Sequence, residues 1–184
     1  SGGELSWEVP EGDWLVLRTG YTLTGHPWSR WYAYPKGDTF EGGDGYEIDY
    51  LSTEALDEHF DHLGELIIEE TRQAGGKLAY LWSDSWECGK LTWTQDFPGQ
   101  FKRFRGYDLK PYMAVLAGYT IHDSIFSARF REDFDRTIQD CVAENFYGHF
   151  YDLCHKNGMD VGNEAGGPND TPPQDALKNL GRCD

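Results

Sequence analysis

The stretch "KLAYLWSDSWE" (residues 77–87) decides the fold, because it changes abruptly from apolar to polar. Residues 77–82 form a short apolar run bounded by Gly76 on one side and by Ser83 and Asp84 on the other. Such a run is typical of a buried strand. Polar groups that directly follow a buried strand lie at its carboxyl end, where parallel α/β folds place their sites. We therefore expect residues 83–87 to form the rim of a site.

An amphipathic helix precedes this strand. Ser52 is a typical N-cap, and Glu54 lies in the first turn, where the helix dipole favours negative charge. The helix is predicted to run to about Gln73 and to stop at residues 75–76, which are both glycine. Its apolar stripe consists of Leu56, Phe60, Leu63 and Ile67.

Three helices and a second strand are predicted after residue 87. The helices cover residues 96–105, residues 110–116 with Pro111 in the first turn, and a long segment from about Ser127 to residues 157–158. "GMDVGNE" (158–164) is the second strand. One stripe of the long helix consists of Phe130, Phe134, Ile138, Cys141, Asn145, His149 and Leu153. Two short strands are also expected near the start of the sequence, with Trp14–Arg18 as the better of the two.

Helices that alternate with short apolar strands predict an α/β fold with parallel strands. A doubly wound sheet and a (β/α)8 TIM-type barrel both fit this order. A complete barrel needs roughly 250 residues, so 184 residues would supply only part of one. We expect a single partial domain over residues 1–184, truncated at both ends, with the rest of a longer polypeptide completing the barrel. No G-x-G-x-x-G follows the first strand and no Walker A sequence occurs, so no nucleotide cofactor is predicted.

The charge excludes two classes of partner. The sequence has 32 acidic and 16 basic residues and a net charge of −16, whereas nucleic acids and anionic membranes select basic surfaces. It also lacks an apolar run of about 18 residues that could span a bilayer. Seven Trp and eleven Tyr provide flat apolar faces with polar edges, which suit sugar rings. A neutral partner such as a sugar is compatible with these features, and so is a bound cation, whereas core packing alone explains most of the aromatic residues.

The four cysteines indicate neither a zinc site nor a compartment. They form no C-x-x-C pair, and Cys141 and Cys154 fall within the long helix, where buried free thiols are expected.

Three carboxylates are candidates for chemistry. Asp84 and Glu87 follow the first strand and Glu164 follows the second, so all three are expected at one face of the sheet or barrel. Glycoside hydrolysis needs two such groups: an acid that protonates the leaving oxygen, and a carboxylate that activates water or attacks carbon. Trp86 lies beside Glu87, and burial against indole raises a carboxyl pKa, so Glu87 is the better general acid. The alternative is that Glu87 is a solvated loop residue and Asp84 a helix cap.

The stretch "EGGDGYEIDY" (41–50) is a candidate calcium loop. It offers Glu41, Asp44, Glu47 and Asp49 among glycines, and Ca²⁺ prefers oxygen ligands. The spacing is not that of an EF-hand, so we assign no ligands. The alternative is a solvated acidic loop in which Asp49 helps to start the following helix.

Five stretches in order resemble the catalytic region of glycoside hydrolase family 106, the α-L-rhamnosidases. They are "PEGDWLVLRTGYTLTG", "GYEIDYLS", "DSWECGKLTWTQDF", "FKRFRGYDLKPY" and "RFREDFDRT". The resemblance implies a (β/α)8 barrel in a large multidomain enzyme that removes terminal α-L-rhamnosyl residues with inversion, aided by calcium. It places the general acid on Glu87 and makes Glu164 a plausible second catalytic acid. Substrate-binding roles are predicted for Asp84, Trp86, Trp93 and Glu47.

Three functions stay open at this point. The first is an inverting α-L-rhamnosidase, whose carboxylates stand roughly 6.5–9.5 Å apart; the second is a retaining glycosidase on another sugar, with a separation of roughly 5–5.5 Å. The third is a non-catalytic carbohydrate-binding barrel. Residues 1–184 alone are expected to be inactive, because an incomplete barrel leaves strand edges unpaired. Polysaccharide breakdown would favour a secreted or periplasmic location.

Overall fold

The computed structural model describes residues 4–23, 48–84, 91–165 and 174–184. Within them the chain forms six α-helices, two strands and shorter helical turns. In chain order the elements are α1 (Thr53–His59), a π-helical turn (Phe60–Gly64), α2 (Glu65–Gln73), β1 (Tyr80–Ser83), α3 (Phe97–Arg105), a 3-10 helix (Lys110–Val115), α4 (Ser124–Cys141), a second π-helical turn (Val142–Gly148), α5 (His149–Lys156), β2 (Asp160–Asn163) and α6 (Ala176–Leu180).

The first helix begins and ends where the sequence predicts. The Ser52 hydroxyl accepts a hydrogen bond from the Ala55 amide at 3.3 Å, so Ser52 is the N-cap of α1. The helix continues through the π-helical turn into α2 and ends before Gly75, whose φ of 79° is in the left-handed region.

Helix α4 starts three residues earlier than expected. Asp123, rather than a later residue, is its N-cap, because the Asp123 carboxylate accepts a hydrogen bond from the Phe126 amide at 2.7 Å. The predicted helix over residues 110–116 is a 3-10 helix in the structure. No helix in the described ranges is both long and apolar enough to cross a membrane.

The two strands pair in parallel, as predicted. Trp82 lies opposite Gly162, and Ser83 lies opposite Asn163. Successive side chains of a strand point to opposite faces. On one face Leu81 and Val161 pack with the helices, whereas the other face carries the exposed side chains of Tyr80 and Trp82. Among the residues that the structure describes, helices therefore cover the sheet on one side only.

The core lies between the helices. Buried aromatic side chains of α3 and α4 meet in it: the Phe97 and Phe134 rings lie 4.9 Å apart, and the Phe101 and Phe130 rings 5.8 Å apart. A smaller cluster joins α5 and β2 to the first helix through Phe60, Cys154, Met159 and Val161. Cys141 and Cys154 are buried free thiols, as expected.

The predicted strand Trp14–Arg18 is absent from the structure, and residues 4–23 contain no strand. Local contacts take the place of strand pairing there: the Trp14 indole N–H donates to the Pro10 carbonyl at 3.0 Å, and the Trp7 ring packs edge-on against Trp14. The apolar side chains of residues 14–17 are consequently exposed.

Candidate active site

The carboxyl ends of β1 and β2 bring Asp84 and Glu164 together. The register pairs Ser83 with Asn163, and the Glu164 amide donates a hydrogen bond to the Ser83 carbonyl at 3.0 Å. The next residues along the strands, Asp84 and Glu164, are therefore neighbours, about 5 Å apart at the backbone. Both side chains are exposed. The alternation of the strands, continued by one residue, assigns them to the face that the described helices leave uncovered. This is the juxtaposition that the sequence predicts for these two acids.

A buried asparagine supports the Glu164 backbone. Asn163 is 7% exposed, and its side-chain oxygen accepts a hydrogen bond from the Ala165 amide at 3.2 Å, so the turn closes over Glu164. Its amide nitrogen also lies 3.5 Å from the Arg182 carbonyl. Asn163 was not predicted from the sequence. An Asx residue followed two positions later by a small residue at a strand end is the signal that would have indicated it.

Ion pairs fix the segment that carries Arg182. Arg182 donates to the Glu144 carboxylate at 2.9 Å, and Lys178 contacts both Glu144 and Asp140 at 3.0 Å. Arg105 also pairs with Asp140. Burial raises the pKa of Glu144, but the hydrogen bond and charge of Lys178 and the charge of Arg182 outweigh it, so the pKa lies below its usual value. The long helix thereby holds the segment next to β2 in place.

The structure places Trp93 against the core. Its ring lies 5.2 Å from the Phe97 ring and 6.0 Å from the Tyr21 ring, and its indole nitrogen is buried without a hydrogen-bond partner in the part of the chain that the structure describes. The substrate-binding role of Trp93 stays a prediction. Glu87, Trp86 and Glu47 lie outside the described residues, so their predicted roles also stay predictions.

A polar cavity of about 520 Å³ lies at the start of α1 and α3. The Glu54 carboxylate accepts hydrogen bonds there from Ser52 at 2.9 Å and from Thr53 at 3.3 Å. Hydrogen bonds from its own backbone and from Ser52 lower the pKa of Glu54. The residues that line the cavity are Leu51, Ser52, Thr53, Glu54, Thr94, Gln95, Asp96 and Gln100.

Comparison with known proteins identifies the family. The alpha-L-rhamnosidase family, glycoside hydrolase family 106, matches residues 1–184. The chain belongs to this family. Its structure is similar to that of a rhamnosidase from Novosphingobium sp. PP1Y, with a TM-score of 0.68 and 29% identity over 76% of this chain. It is also 39% identical over 165 residues, 85% of the chain, to a protein of Formosa agariphila named "Putative beta-glucuronidase".

This member of family 106 spans a small part of both relatives. It covers 14% of the Novosphingobium chain and 13% of the Formosa protein. The family and the structural relative show a rhamnosidase-like glycoside hydrolase sequence with a small parallel sheet and surrounding helices.

The described part of the acidic stretch at residues 41–50 is only its end. The Asp49 carboxylate accepts a hydrogen bond from the Leu51 amide at 3.0 Å, so it helps to form the turn before α1, as one reading of the sequence predicts. A different group, His155, Asp160 and Asp184, brings three metal-ligating side chains close together at the opposite end of β2. Asp184 already accepts hydrogen bonds from His155 and from the Val161 amide, which accounts for the positions of His155 and Asp184 without a metal.

Proposed function

We propose that the complete polypeptide containing this chain hydrolyses terminal α-L-rhamnosyl residues with inversion of configuration. The observation that carries the proposal is that Asp84 and Glu164 are neighbours just beyond the carboxyl ends of two parallel strands, in a chain of the α-L-rhamnosidase family. Parallel α/β enzymes place their reacting groups at this edge.

The carboxylates are assigned different roles. Glu87, three residues beyond Asp84, is proposed to protonate the leaving oxygen, and Glu164 is proposed as the second catalytic acid. Asp84 is proposed to bind sugar hydroxyls, because it is the residue next to Glu164 where the two paired strands end. Trp86, Trp93 and Glu47 are proposed as further substrate contacts on the strength of the family resemblance.

Both edges of the sheet support a larger parallel barrel. An apolar groove of about 540 Å³ runs between β1 and the apolar stripe of the first helix, and a strand there would cover Leu63 and Ile67, which are now exposed. Residues 14–18 are a suitable strand for this groove. At the other edge, the Asp184 amide donates to the Val161 carbonyl of β2 at 3.0 Å. We therefore propose that residues 1–184 are one partial (β/α)8 domain, completed by the rest of the polypeptide and inactive alone.

Calcium is proposed as a cofactor on the family resemblance. The acidic, glycine-rich composition of residues 41–50 fits the preference of Ca²⁺ for oxygen ligands. Bound calcium would supply a fixed positive charge for sugar hydroxyls. A secreted or periplasmic location is proposed because extracellular polysaccharide is the expected substrate.

A second candidate function is the hydrolysis of β-D-glucuronides by a retaining or inverting route. The name of the Formosa relative favours this candidate. A non-catalytic carbohydrate-binding role is the third, since aromatic side chains and carboxylates can also bind a sugar without cleaving it.

The test is an assay of the complete polypeptide on an aryl α-L-rhamnoside and an aryl β-D-glucuronide, with the product anomer followed by proton NMR. Release of β-L-rhamnose as the first product supports the proposal, because inversion converts the α-linked sugar to the β anomer. Cleavage of the glucuronide alone supports the second candidate. Binding of either sugar without cleavage supports the third.

A further inference from the structure

The indole ring of Trp82 is held directly over Gly162. The two residues are cross-strand partners in the parallel sheet. A Cβ atom added at Gly162 would lie 2.2 Å from Cε3 of Trp82 and 2.4 Å from Cζ3, so any larger residue here would force the indole ring to move. Glycine at this position therefore permits the close approach of the ring and fixes where it lies.

The Trp82 side chain is nevertheless 57% exposed. It lies on the same face as Asp84 and Glu164, because residues two apart on a strand share a face. A separation of two residues along a strand is about 6.6 Å, which is similar to the width of a sugar ring. Trp82 consequently presents an apolar aromatic surface two residues along the strand from the position of the two acids.

We propose that Trp82, seated on Gly162, forms the floor of the saccharide site and selects a 6-deoxyhexose through the methyl group of that sugar. The inference rests on the proposed function. A methyl group needs no hydrogen bond, so it can pack on an indole face without cost. A C6 hydroxyl in the same place gives up its hydrogen bonds to water and gains no partner, and the desolvation cost of a C6 carboxylate is larger still. An apolar contact of this kind distinguishes such substrates by roughly tenfold to a hundredfold.

The experiment uses two substrates that differ in one atom, an aryl α-L-rhamnoside and the corresponding aryl α-L-mannoside, which carries a hydroxyl at C6. The ratio of their kcat/KM values is measured for the complete polypeptide and for Trp82→Ala. We expect the ratio in favour of the rhamnoside to fall roughly tenfold or more. Gly162→Ala should shift the ratio in the same direction, because its methyl group displaces the ring.

Tyr80→Ala is the matched control. Tyr80 is 61% exposed on the same face but lies two residues further from the acids, so its removal should leave the ratio unchanged. An unchanged ratio in both Trp82→Ala and Gly162→Ala would overturn the proposal, and a lower melting temperature in the same variants would make Trp82 a packing residue. If Trp82→Ala does not fold, Gly162→Ala decides the question by the same ratio.

Failure of the proposed function is distinguishable from failure of this inference. A wild-type protein that cleaves neither glycoside contradicts the proposed function, and equilibrium binding then tests Trp82. Tighter binding of L-rhamnose than of L-mannose by wild type, with the preference lost in Trp82→Ala, would support the inference. Equal binding of the two sugars by wild type would overturn it.

Discussion

Replacement of Asn163 by alanine should slow catalysis through Glu164. The substitution removes the acceptor of the buried Ala165 amide, which lies 3.2 Å from the Asn163 side-chain oxygen. A buried donor left without a partner costs about 1–3 kcal/mol. The second contact, to the Arg182 carbonyl, is at the limit of hydrogen-bond distance at 3.5 Å and adds little. We therefore expect a destabilisation of about 1–3 kcal/mol, concentrated at the turn that carries Glu164.

The expected fall in kcat is worked out from this destabilisation of about 1–3 kcal/mol. If the turn holds Glu164 in its reactive position, the same energy is lost from the transition state, and kcat falls roughly 5- to 150-fold while KM changes little. The assay is the initial rate of the complete polypeptide on an aryl α-L-rhamnoside, with the melting temperature recorded in parallel. Asn163→Ser should recover part of kcat, because a hydroxyl forms the same kind of turn more weakly.

Asn145→Ala is the control for a purely structural effect. Asn145 is equally buried, at 5% exposed, and donates one hydrogen bond to the Leu51 carbonyl at 2.8 Å, on an element away from the strand ends. It should lower the melting temperature and leave kcat near the wild-type value. The reasoning is refuted if Asn163→Ala behaves in the same way, with a lower melting temperature and an unchanged kcat.

Three further predictions concern the scaffold. The pKa of Glu144 in the folded protein lies below its ordinary value of 4.5, so its ion pairs stabilise the protein above pH 4.5 and are lost as the pH falls through the folded-state pKa. Glu144→Gln should therefore flatten the loss of melting temperature below about pH 4.5. A variant whose melting temperature depends on pH as that of wild type does would contradict this. Burial raises the pKa of the Cys141 thiol to about 12, so native alkylation followed by peptide mapping should label the partly exposed Cys183 and leave Cys141 unmodified until the protein unfolds. Hydrogen exchange of the complete polypeptide should show protected amides at residues 14–18 if they pair with β1, and fast exchange there would argue against the proposed barrel edge.

The sequence was most informative where a local rule acts alone. The Ser52 cap and the glycine after α2 follow from short-range patterns, and the parallel direction of the strands follows from their alternation with helices. The structure confirms all three. The adjacency of Asp84 and Glu164 followed because the carboxyl ends of parallel strands meet at one edge.

Features that depend on contacts between segments distant in the sequence could not be predicted in the same way. The apolar run at residues 14–18 reads as a strand, but strand formation needs a pairing edge, and local tryptophan contacts occur there instead. The fit of Trp82 over Gly162 depends on register between two strands that are about 80 residues apart, which periodicity does not give. The contact of Asn163 with the Arg182 carbonyl also depends on the fold, whereas its turn with Ala165 has a local signal in the sequence.

The central claim is that an active site lies at the carboxyl ends of β1 and β2. It is tested by comparing a poor and an activated leaving group in two variants of the complete polypeptide. Rates are measured on a rhamnosyl disaccharide and on an activated aryl α-L-rhamnoside for wild type, Glu87→Gln and Glu164→Gln, with the exposed helix substitution Glu65→Gln as the control. A poor leaving group needs protonation and an activated one needs it less. We expect Glu87→Gln to lose activity on the disaccharide but to keep much of its activity on the aryl rhamnoside, and Glu164→Gln to lose activity on both substrates. Wild-type rates for either variant on both substrates would contradict the assignment of an active site to these strand ends.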